Sequence, residues 1–261
     1  MQKVKPLKKF GQNYITDKNI LNKIVNEIFP LPGDNLIEIG PGLGSLTEIL
    51  LERIPEFTAV EIDSRVIDEL SQKFPALALI HADFLDLNLQ DLYNKKNKRL
   101  RIAGNIPYNI TSPIIFKLIY ASHLVQDAVL MLQLEVAKRI VAKRGNKDYG
   151  ILSVLLQYFT QVKICFKVSA NVFYPKPKVE SAVIHLHFKD NLLSGEEKKL
   201  FIKLVKAAFG NRRKVLRNSL SNSIFADVNF SDAKVDLNLR AEQLDIEDFI
   251  KLTKFSAGKL Y

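Results

Sequence analysis

The chain has 261 residues, 47% apolar and 25% charged, a composition typical of a globular protein rather than of a disordered chain. Its 38 lysines and arginines exceed its 28 acidic residues, and the formal charge of +10 at pH 7 indicates an anionic partner. We expect a cytoplasmic protein: no apolar run approaches the roughly 20 residues of a membrane span, no secretory signal is evident, and the single cysteine, Cys165, excludes an internal disulfide.

The predicted elements begin with a helix over residues 17–29, which Thr16 or Asp17 caps and Pro30 ends. Short apolar runs and helical patterns then alternate along the chain. Predicted strands lie at 36–39, 57–62, 76–80, 100–104 and 127–133, and predicted helices lie at 45–53, 64–74, 111–121 and 135–143. This alternation predicts an α/β fold with a doubly wound, mostly parallel sheet.

The pattern changes late in the chain. After a predicted helix near 149–159, the runs 162–168 and 182–188 resemble a terminal antiparallel strand pair. Only helical periodicities follow, at 196–208, 211–225 and 246–255. We therefore expect an α/β domain over residues 1–190 with a basic N-terminal arm, and a small all-helical domain over residues 191–261.

Metal ligands are not evident in the sequence. One cysteine and four scattered histidines argue against a zinc site, so we expect no metal. His185 and His187 share one face of a predicted strand, and we expect them to be structural or surface residues.

The charge is unevenly distributed. Residues 34–91 contain 12 acidic and 3 basic residues, whereas residues 198–217 contain eight lysines and arginines and no acid. The first 16 residues contain four lysines and no acid. Such a partition indicates an anion-binding periphery around a different kind of site, although solvated surface helices would give the same pattern.

A glycine-rich turn follows the first predicted strand. Gly40, Gly42 and Gly44 allow a ligand to approach the backbone closely, and the next helix presents its N-terminus there. Glu61 ends the following strand, where a carboxylate can accept both hydroxyls of a ribose, and Asp83 is placed to hold an adenine edge. The G-x-G-x-G spacing favours S-adenosylmethionine, while a nicotinamide dinucleotide remains possible and Glu61 is alternatively a surface carboxylate.

The segment Asn105-Ile106-Pro107-Tyr108 follows the fourth predicted strand, at the sheet edge where ligands bind in such folds. An exocyclic amine on a purine is a poor nucleophile. The Asn105 oxygen and a nearby backbone carbonyl would accept its two hydrogens and favour tetrahedral nitrogen, while Tyr108 would stack on the flipped base. A proline turn that closes a strand is the simpler alternative, but it does not explain Asn105 and Tyr108 together.

Several motifs together resemble those of the bacterial 16S rRNA adenine N6-dimethyltransferases. They occur in the family's order over nearly the whole chain: Lys9–Ile15, Glu38–Gly44, Glu61–Asp63, Asp83-Phe84, Asn105–Tyr108, Phe173–Ser181 and Phe209–Lys214. The chain departs mildly from the family at Tyr14-Ile15, where Phe-Leu is usual, and at Asn211, where Gln is commoner. The resemblance implies a Rossmann-like methyltransferase sheet with a helical RNA-binding domain. It also implies transfer of four methyl groups from S-adenosylmethionine to two adjacent adenosines in a hairpin loop near the 3′ end of that RNA.

Site residues and partners follow from the same resemblance. It implies that the partner is 16S rRNA in a small-subunit (30S) assembly intermediate, and we expect a monomer. Cofactor contacts fall on Asn13, Ile15, Gly40, Glu61, Asp83 and Asn105; catalytic roles fall on Asn105, Pro107, Tyr108 and Phe173; RNA contacts fall on Lys8, Lys9, Arg212, Arg213, Lys214 and Arg217.

Three other functions share part of this pattern. A large-subunit rRNA adenine methyltransferase of the antibiotic-resistance type shares the cofactor and Asn-Ile-Pro-Tyr motifs, but the segments 212–218 and 240–244 favour the small-subunit branch. A non-catalytic RNA assembly factor would not need Glu61, Asp83 and Asn105 intact. A DNA adenine methyltransferase is disfavoured by Ile106, which stands where proline is usual.

Overall fold

The computed structural model describes residues 11–190, 193 and 195–260, which form two compact units. The first consists of the described residues up to 137 together with 162–188, and the second consists of 138–161 together with the described residues from 189 onward. We expected one boundary near residue 190. The segment 138–161 instead belongs to the second unit, because Phe159 packs there against Phe201, with ring centroids 6.0 Å apart.

Nine strands and ten α-helices are found among the described residues. The strands are β1 (Tyr14–Ile15), β2 (Asn35–Ile39), β3 (Thr58–Glu61), β4 (Ala78–His81), β5 (Leu100–Asn105), β6 (Val125–Gln133), β7 (Thr160–Val168), β8 (Phe173–Tyr174) and β9 (Ser181–Phe188). The helices are α1 (Lys18–Ile28), α2 (Ser45–Arg53), α3 (Ser64–Lys73), α4 (Leu89–Lys96), α5 (Thr111–Tyr120), α6 (Leu134–Ile140), α7 (Ile151–Phe159), α8 (Gly195–Gly210), α9 (Leu216–Leu220) and α10 (Ile246–Leu260).

The first unit is built on a seven-stranded sheet of order β4-β3-β2-β5-β6-β9-β7. The strands from β4 through β6 pair in parallel, and β9 pairs antiparallel with β6. The predicted α/β class, with its mostly parallel sheet and antiparallel terminal strand, is confirmed. The order reverses between β2 and β5, and at such a switch point the carboxyl ends of the two strands leave a crevice.

Helix caps explain why two predicted helices begin where they do. The Asp17 carboxylate accepts hydrogen bonds from the backbone N–H groups of Asn19 and Ile20 and caps α1. Asp63 caps α3 in the same way through the N–H of Arg65. Both helices bury apolar side chains on one face, and this fixes the orientation of each helix: Leu21, Ile24, Val25 and Ile28 in α1, and Val66 and Leu70 in α3.

A two-stranded ribbon, absent from the sequence prediction, joins β1 to β8. Tyr14 lies opposite Tyr174, and Ile15 lies opposite Phe173. Directly opposed residues share a face and successive residues alternate, so the ribbon has two distinct faces. Ile15 and Phe173 are buried in the hydrophobic core, whereas Tyr174 is exposed.

The second unit is helical, with α8 packed against α9 and α10. The predicted helix over 211–225 is wrong at both ends. Residues 211–214 form a turn in which the Lys214 N–H donates to the Asn211 carbonyl, α9 spans only Leu216–Leu220, and residues 221–225 form turns. Arg212, Arg213 and Lys214 therefore lie on a turn. In the described part of the chain, no helix is long and apolar enough to cross a membrane.

Candidate active site

A pocket of about 250 Å³ opens at the carboxyl ends of β2, β3, β4 and β5. Segments that are distant in sequence meet there because parallel strands end at one edge of the sheet. Its lining residues are Gly11, Gln12, Asn13, Tyr14, Ile39, Gly40, Gly42, Val60, Glu61, Ile62, Ala82, Asp83, Phe84, Asn105, Ile106, Pro107, Tyr108, Asn109 and Ile110.

The glycine turn forms one wall of the pocket. Gly40 and Gly42 have φ angles of 65° and 55°, which L side chains rarely adopt. A Cβ atom on Gly42 would lie 2.6 Å from Cε1 of Tyr14, so only glycine fits beneath that ring. No atom of the described residues lies within 4 Å of the position that a Cβ atom on Gly40 would occupy, so the backbone there is open to a ligand.

Glu61 is a buried carboxylate fixed by neutral donors. Its Oε1 accepts the N–H groups of Ile62 (2.9 Å) and Asp63 (3.0 Å), and its Oε2 accepts that of Gly42 (3.2 Å). Burial raises the pKa of Glu61 above its usual value, and these backbone hydrogen bonds offset only part of that rise. A pocket-lining carboxylate whose hydrogen-bond donors, in the part of the chain that the structure describes, are all neutral is suited to accept ligand hydroxyl groups.

Asp83 follows β4, and the turn in which it lies fixes the orientation of its side chain. Its Oδ1 accepts the N–H of Leu85 at 2.8 Å, which fixes the side chain beside the pocket. The neighbours Ala82 and Phe84 also line the pocket. The two sequence-predicted carboxylates, Glu61 and Asp83, are therefore brought into one cavity with the glycine turn.

Asn105 ends β5 with its side chain orientation determined by hydrogen bonding. Its Nδ2 lies 2.7 Å from the Asn13 carbonyl oxygen. Because a carbonyl only accepts, the amide nitrogen must be the donor, and Oδ1 is left as the acceptor. The pair also ties the N-terminal motif residue Asn13 to the Asn-Ile-Pro-Tyr motif across the pocket.

Tyr108 is held by a partner that sequence reasoning did not single out. Its hydroxyl lies 2.8 Å from Oγ of Ser181, a buried residue at the start of β9. Burial raises the pKa of Tyr108, so the phenol is protonated at neutral pH. The Pro107 carbonyl accepts from the Ile110 N–H and the Thr111 hydroxyl, which starts the turn into α5. The Tyr108 side chain is thus held at its hydroxyl, and the backbone around it is held by the turn.

Two residues assigned to the site by resemblance lie in the core instead of the pocket lining. Ile15 and Phe173 are each 5% exposed and face each other across the β1–β8 ribbon. Their roles in cofactor contact and base stacking stay predictions. Conversely, Gln12, Ile62 and Asn109 line the pocket although they carried no assignment; their positions beside Asn13, Glu61 and Tyr108 were the available signal.

The residues predicted to contact RNA differ in their environments. Lys8 and Lys9 lie outside the described residues. Arg212 contacts the backbone carbonyls of Lys147 and Tyr149 and lies 3.6 Å from the Glu242 carboxylate. The remaining three, Arg213, Lys214 and Arg217, are exposed. Lys198, counted in the basic stretch of the sequence, is buried, and burial lowers its pKa to about 8.

One group of potential metal ligands occurs among the described residues: Asp127, His185 and His187, whose ligand atoms lie within 4.8 Å of one another. Asp127 already accepts Nε and Nη2 of Arg101 at 2.8 and 2.7 Å, and Nε2 of His185 lies 2.9 Å from its Oδ2. Arg101 also pairs with Asp34 at 2.6 Å. A guanidinium so close repels a cation, so this cluster is an ion-pair network.

Comparisons with known proteins show which proteins this chain resembles. Residues 4–257 match the family described as ribosomal RNA adenine dimethylase. Two similar relatives are called Ribosomal RNA small subunit methyltransferase A: one from Chlorobium phaeobacteroides, 44% identical over 95% of this chain and 92% of the relative, and one from Francisella tularensis subsp. novicida, 42% identical over 97% and 98%.

Two solved structures of RNA-modifying or adenosine-modifying transferases are also similar to this chain. A dimethyladenosine transferase from Plasmodium falciparum has a TM-score of 0.76 at 27% identity, with 94% of this chain and 98% of the other covered. The 23S rRNA methyltransferase ErmE has a TM-score of 0.68 at 25% identity, with 93% and 98% covered. The expected Rossmann-like methyltransferase fold is confirmed by these two structures.

Proposed function

Because the chain belongs to the ribosomal RNA adenine dimethylase family, it is a methyltransferase that acts on ribosomal RNA with S-adenosylmethionine, and we propose that its substrate is the small-subunit RNA. The reaction is dimethylation of the N6 amines of two adjacent adenosines in a hairpin loop near the 3′ end of 16S rRNA. The names of the relatives at 42–44% identity support this choice. The observation that carries the methylation of an adenine N6 amine is the meeting of Glu61, Asn105 and Tyr108 in one pocket.

The pocket residues fit S-adenosylmethionine, which supplies an activated methyl group when bound. Glu61 would accept the two ribose hydroxyls, since its carboxylate is fixed by neutral N–H groups and forms no ion pair with any described residue. Gly40 offers open backbone, and Asp83 would hold the adenine edge. Asn13 completes the cradle, and Ile15 supports it from the core side of the β1–β8 ribbon.

The Asn105–Tyr108 segment would hold the target adenine. Oδ1 of Asn105 accepts one N6 hydrogen, and we assign the other to the backbone carbonyl of Ile106, because that of Pro107 already accepts two donors. Accepting both hydrogens favours tetrahedral nitrogen and exposes its lone pair for attack. Tyr108 stacks on the flipped base, and Phe173 stays the predicted second aromatic. Catalysis then rests on alignment and electrostatics, and the proton leaves after transfer.

The RNA partner is bound through basic residues outside the pocket. Arg213, Lys214 and Arg217 are exposed and would meet phosphates, as would Lys8 and Lys9 of the N-terminal arm. Arg212 is engaged by Glu242 and two carbonyls, so its contribution would be to hold the turn that presents its neighbours. The proposal includes a monomeric enzyme that acts in the cytoplasm on a 30S assembly intermediate.

Methyl mapping on ribosomal particles tests this proposal. Unmethylated small and large subunits are incubated separately with labelled S-adenosylmethionine, and the labelled nucleotides are identified. We expect four methyl groups per small subunit, on two adjacent adenosines near the 3′ end, and no label on particles that already carry the modification. Label confined to large subunits would overturn the small-subunit substrate in favour of the activity for which ErmE is named.

A further inference from the structure

The segment that follows β8 is tied to the pocket at both of its ends. At its start, Tyr174 lies directly opposite Tyr14, whose ring lines the pocket beside Gly42. At its end, Ser181 contacts the hydroxyl of Tyr108, which also lines the pocket. The intervening residues 175–180 therefore connect two positions that border the pocket without lining it, and we call this border the rim. The end of this segment is fixed just before β9, since the Glu180 carbonyl accepts the N–H of Leu134 at 3.0 Å.

Tyr174 presents a large aromatic surface at this rim. Its side chain is 65% exposed, although a tyrosine in a strand normally packs against a neighbour. Alternation along β8 places Phe173 in the core and Tyr174 on the opposite face, which it shares with Tyr14. The ring thus lies on the pocket side of the ribbon and outside the pocket lining.

The chemistry around Tyr174 fits a single-stranded nucleic acid. Lys176 and Lys178 are exposed within four residues of it, and Val179 adds an exposed apolar side chain. Pro175 and Pro177 restrict the backbone, so little conformational entropy is lost when the ring is engaged. An aromatic ring beside cationic side chains is the arrangement by which proteins hold unpaired bases and their phosphates.

We infer that Tyr174 is a stacking platform for an unpaired nucleotide next to the target adenosine, with Lys176 and Lys178 on the flanking phosphates. This inference rests on the proposed RNA substrate and adds to it a second base-binding position outside the pocket. A flipped adenosine leaves its neighbours unstacked, and an exposed ring at the rim restores stacking to one of them. Tyr174 is therefore a positioning residue that selects a single-stranded loop over a duplex.

Steady-state kinetics on unmethylated small subunits test the platform with Tyr174→Ala, Tyr174→Phe and a control. The control is Phe29→Ala, which removes an equally exposed aromatic ring (69%) near the amino end of β5, where the Phe29 carbonyl accepts from Arg101. Stacking contributes about 1–3 kcal/mol per base, so Tyr174→Ala should raise KM for the particle by roughly 5- to 150-fold. The kcat at saturating particle and the S-adenosylmethionine affinity by calorimetry should not change. Tyr174→Phe and Phe29→Ala should stay within about twofold of the wild type.

Each result separates this inference from the proposed function. If the wild type is active on the particle and Tyr174→Ala leaves KM unchanged, the platform is overturned and the proposed substrate is not. An equal loss in Tyr174→Phe and Tyr174→Ala would replace stacking by a hydroxyl contact and overturn it as well. A wild-type enzyme without activity on small subunits would overturn the proposed substrate, and the platform with it. A photo-crosslinking benzophenone side chain at position 174 should attach within one or two nucleotides of the methylated adenosines, and attachment elsewhere would contradict the inference.

Discussion

Buried carboxylates lie toward both the amino ends and the carboxyl ends of the strands in the seven-stranded sheet, which we call its amino edge and its carboxyl edge. Their pKa values are shifted in opposite directions. At the amino edge, Asp127 is paired with a guanidinium; burial alone would raise its pKa, but the hydrogen bonds from Arg101 and His185 hold it below its usual range. At the carboxyl edge, burial raises the pKa of Glu61, its hydrogen-bond donors among the described residues are neutral N–H groups, and the nearby Asp63 carboxylate raises the pKa further. Similar burial thus gives a structural carboxylate beside a cation and a binding carboxylate beside neutral donors.

The largest expected effect is at the carboxyl edge, in Asn105→Ala. Loss of the Oδ1 acceptor should lower kcat for methyl transfer by about 10²- to 10³-fold or more, the scale seen when one preorganised polar group is removed from an active site. Melting temperature should stay near that of the wild type, since Asn105 is only half-buried. Asn22→Ala on the exposed face of α1 is the matched control. Near-normal turnover in Asn105→Ala would remove Asn105 from the mechanism.

At the amino edge, Asp127→Ala should act on stability instead of chemistry. Arg101 keeps Asp34 and the carbonyls of Ile28 and Phe29, but it loses its bidentate partner. Breaking a buried pair costs about 3–5 kcal/mol, and the partners that remain place the loss near 3 kcal/mol. Urea denaturation measures it, with the exposed Asp68→Ala as control. A stable variant that loses S-adenosylmethionine affinity would contradict the contrast between the edges.

Glu61→Ala should weaken the cofactor complex. Hydrogen bonds to a charged group contribute about 1.5–3 kcal/mol, so Kd for S-adenosylmethionine should rise roughly 10- to 150-fold by calorimetry. Glu52→Ala on the exposed part of α2 serves as the control. An unchanged Kd would show that Glu61 does not hold the ribose.

Glu38, in β2, is buried, does not line the pocket and has no cationic partner among the described residues. Burial raises its pKa to about 8 from a usual value of 4.5, and its carboxyl accepts the Thr47 hydroxyl at 2.7 Å. The folded protein therefore keeps a proton that the unfolded chain releases, and the free energy of unfolding falls as pH rises from 4.5 to 8.

Glu38→Gln should remove this dependence of the free energy of unfolding on pH, which amounts to at most about 1.4 kcal/mol per pH unit. Denaturation at several pH values measures it, with the exposed Glu56→Gln as control. Parallel stability curves for wild type and Glu38→Gln would show that Glu38 is ionised in the folded state. The variant keeps the volume of the side chain and a donor-acceptor group for Thr47, so the fold should be retained.

Local signals predicted most elements of the sheet but not those that depend on distant partners. The α2 helix was predicted with its observed bounds, because an apolar stripe follows a glycine turn. The β1–β8 ribbon was missed, since each strand has two residues and exists only through the other. The turn at 211–214 was read as helix because basic and apolar residues there keep a helical spacing.

The candidate site shows the same division. Glu61, Asp83 and Asn105 could be found because each ends or directly follows a strand, and the carboxyl ends of parallel strands meet. Ser181 could not be found as the partner of Tyr108, because 73 residues separate them and no local pattern marks the contact. The placement of Phe173 in the core depends on its register with Ile15, which only the folded ribbon provides.

The sequence by itself determined the family, the order of the strands along the chain and the residues of the glycine turn, because these depend on local spacing and on motifs. The tertiary structure decided which charges are compensated. Asp127 and Glu61 are both acidic residues in the sequence. The presence of Arg101 beside Asp127 separates its structural ion pair from the ligand-binding carboxylate of Glu61. Electrostatic environment is a property of three-dimensional neighbours, and the linear order of residues does not contain it.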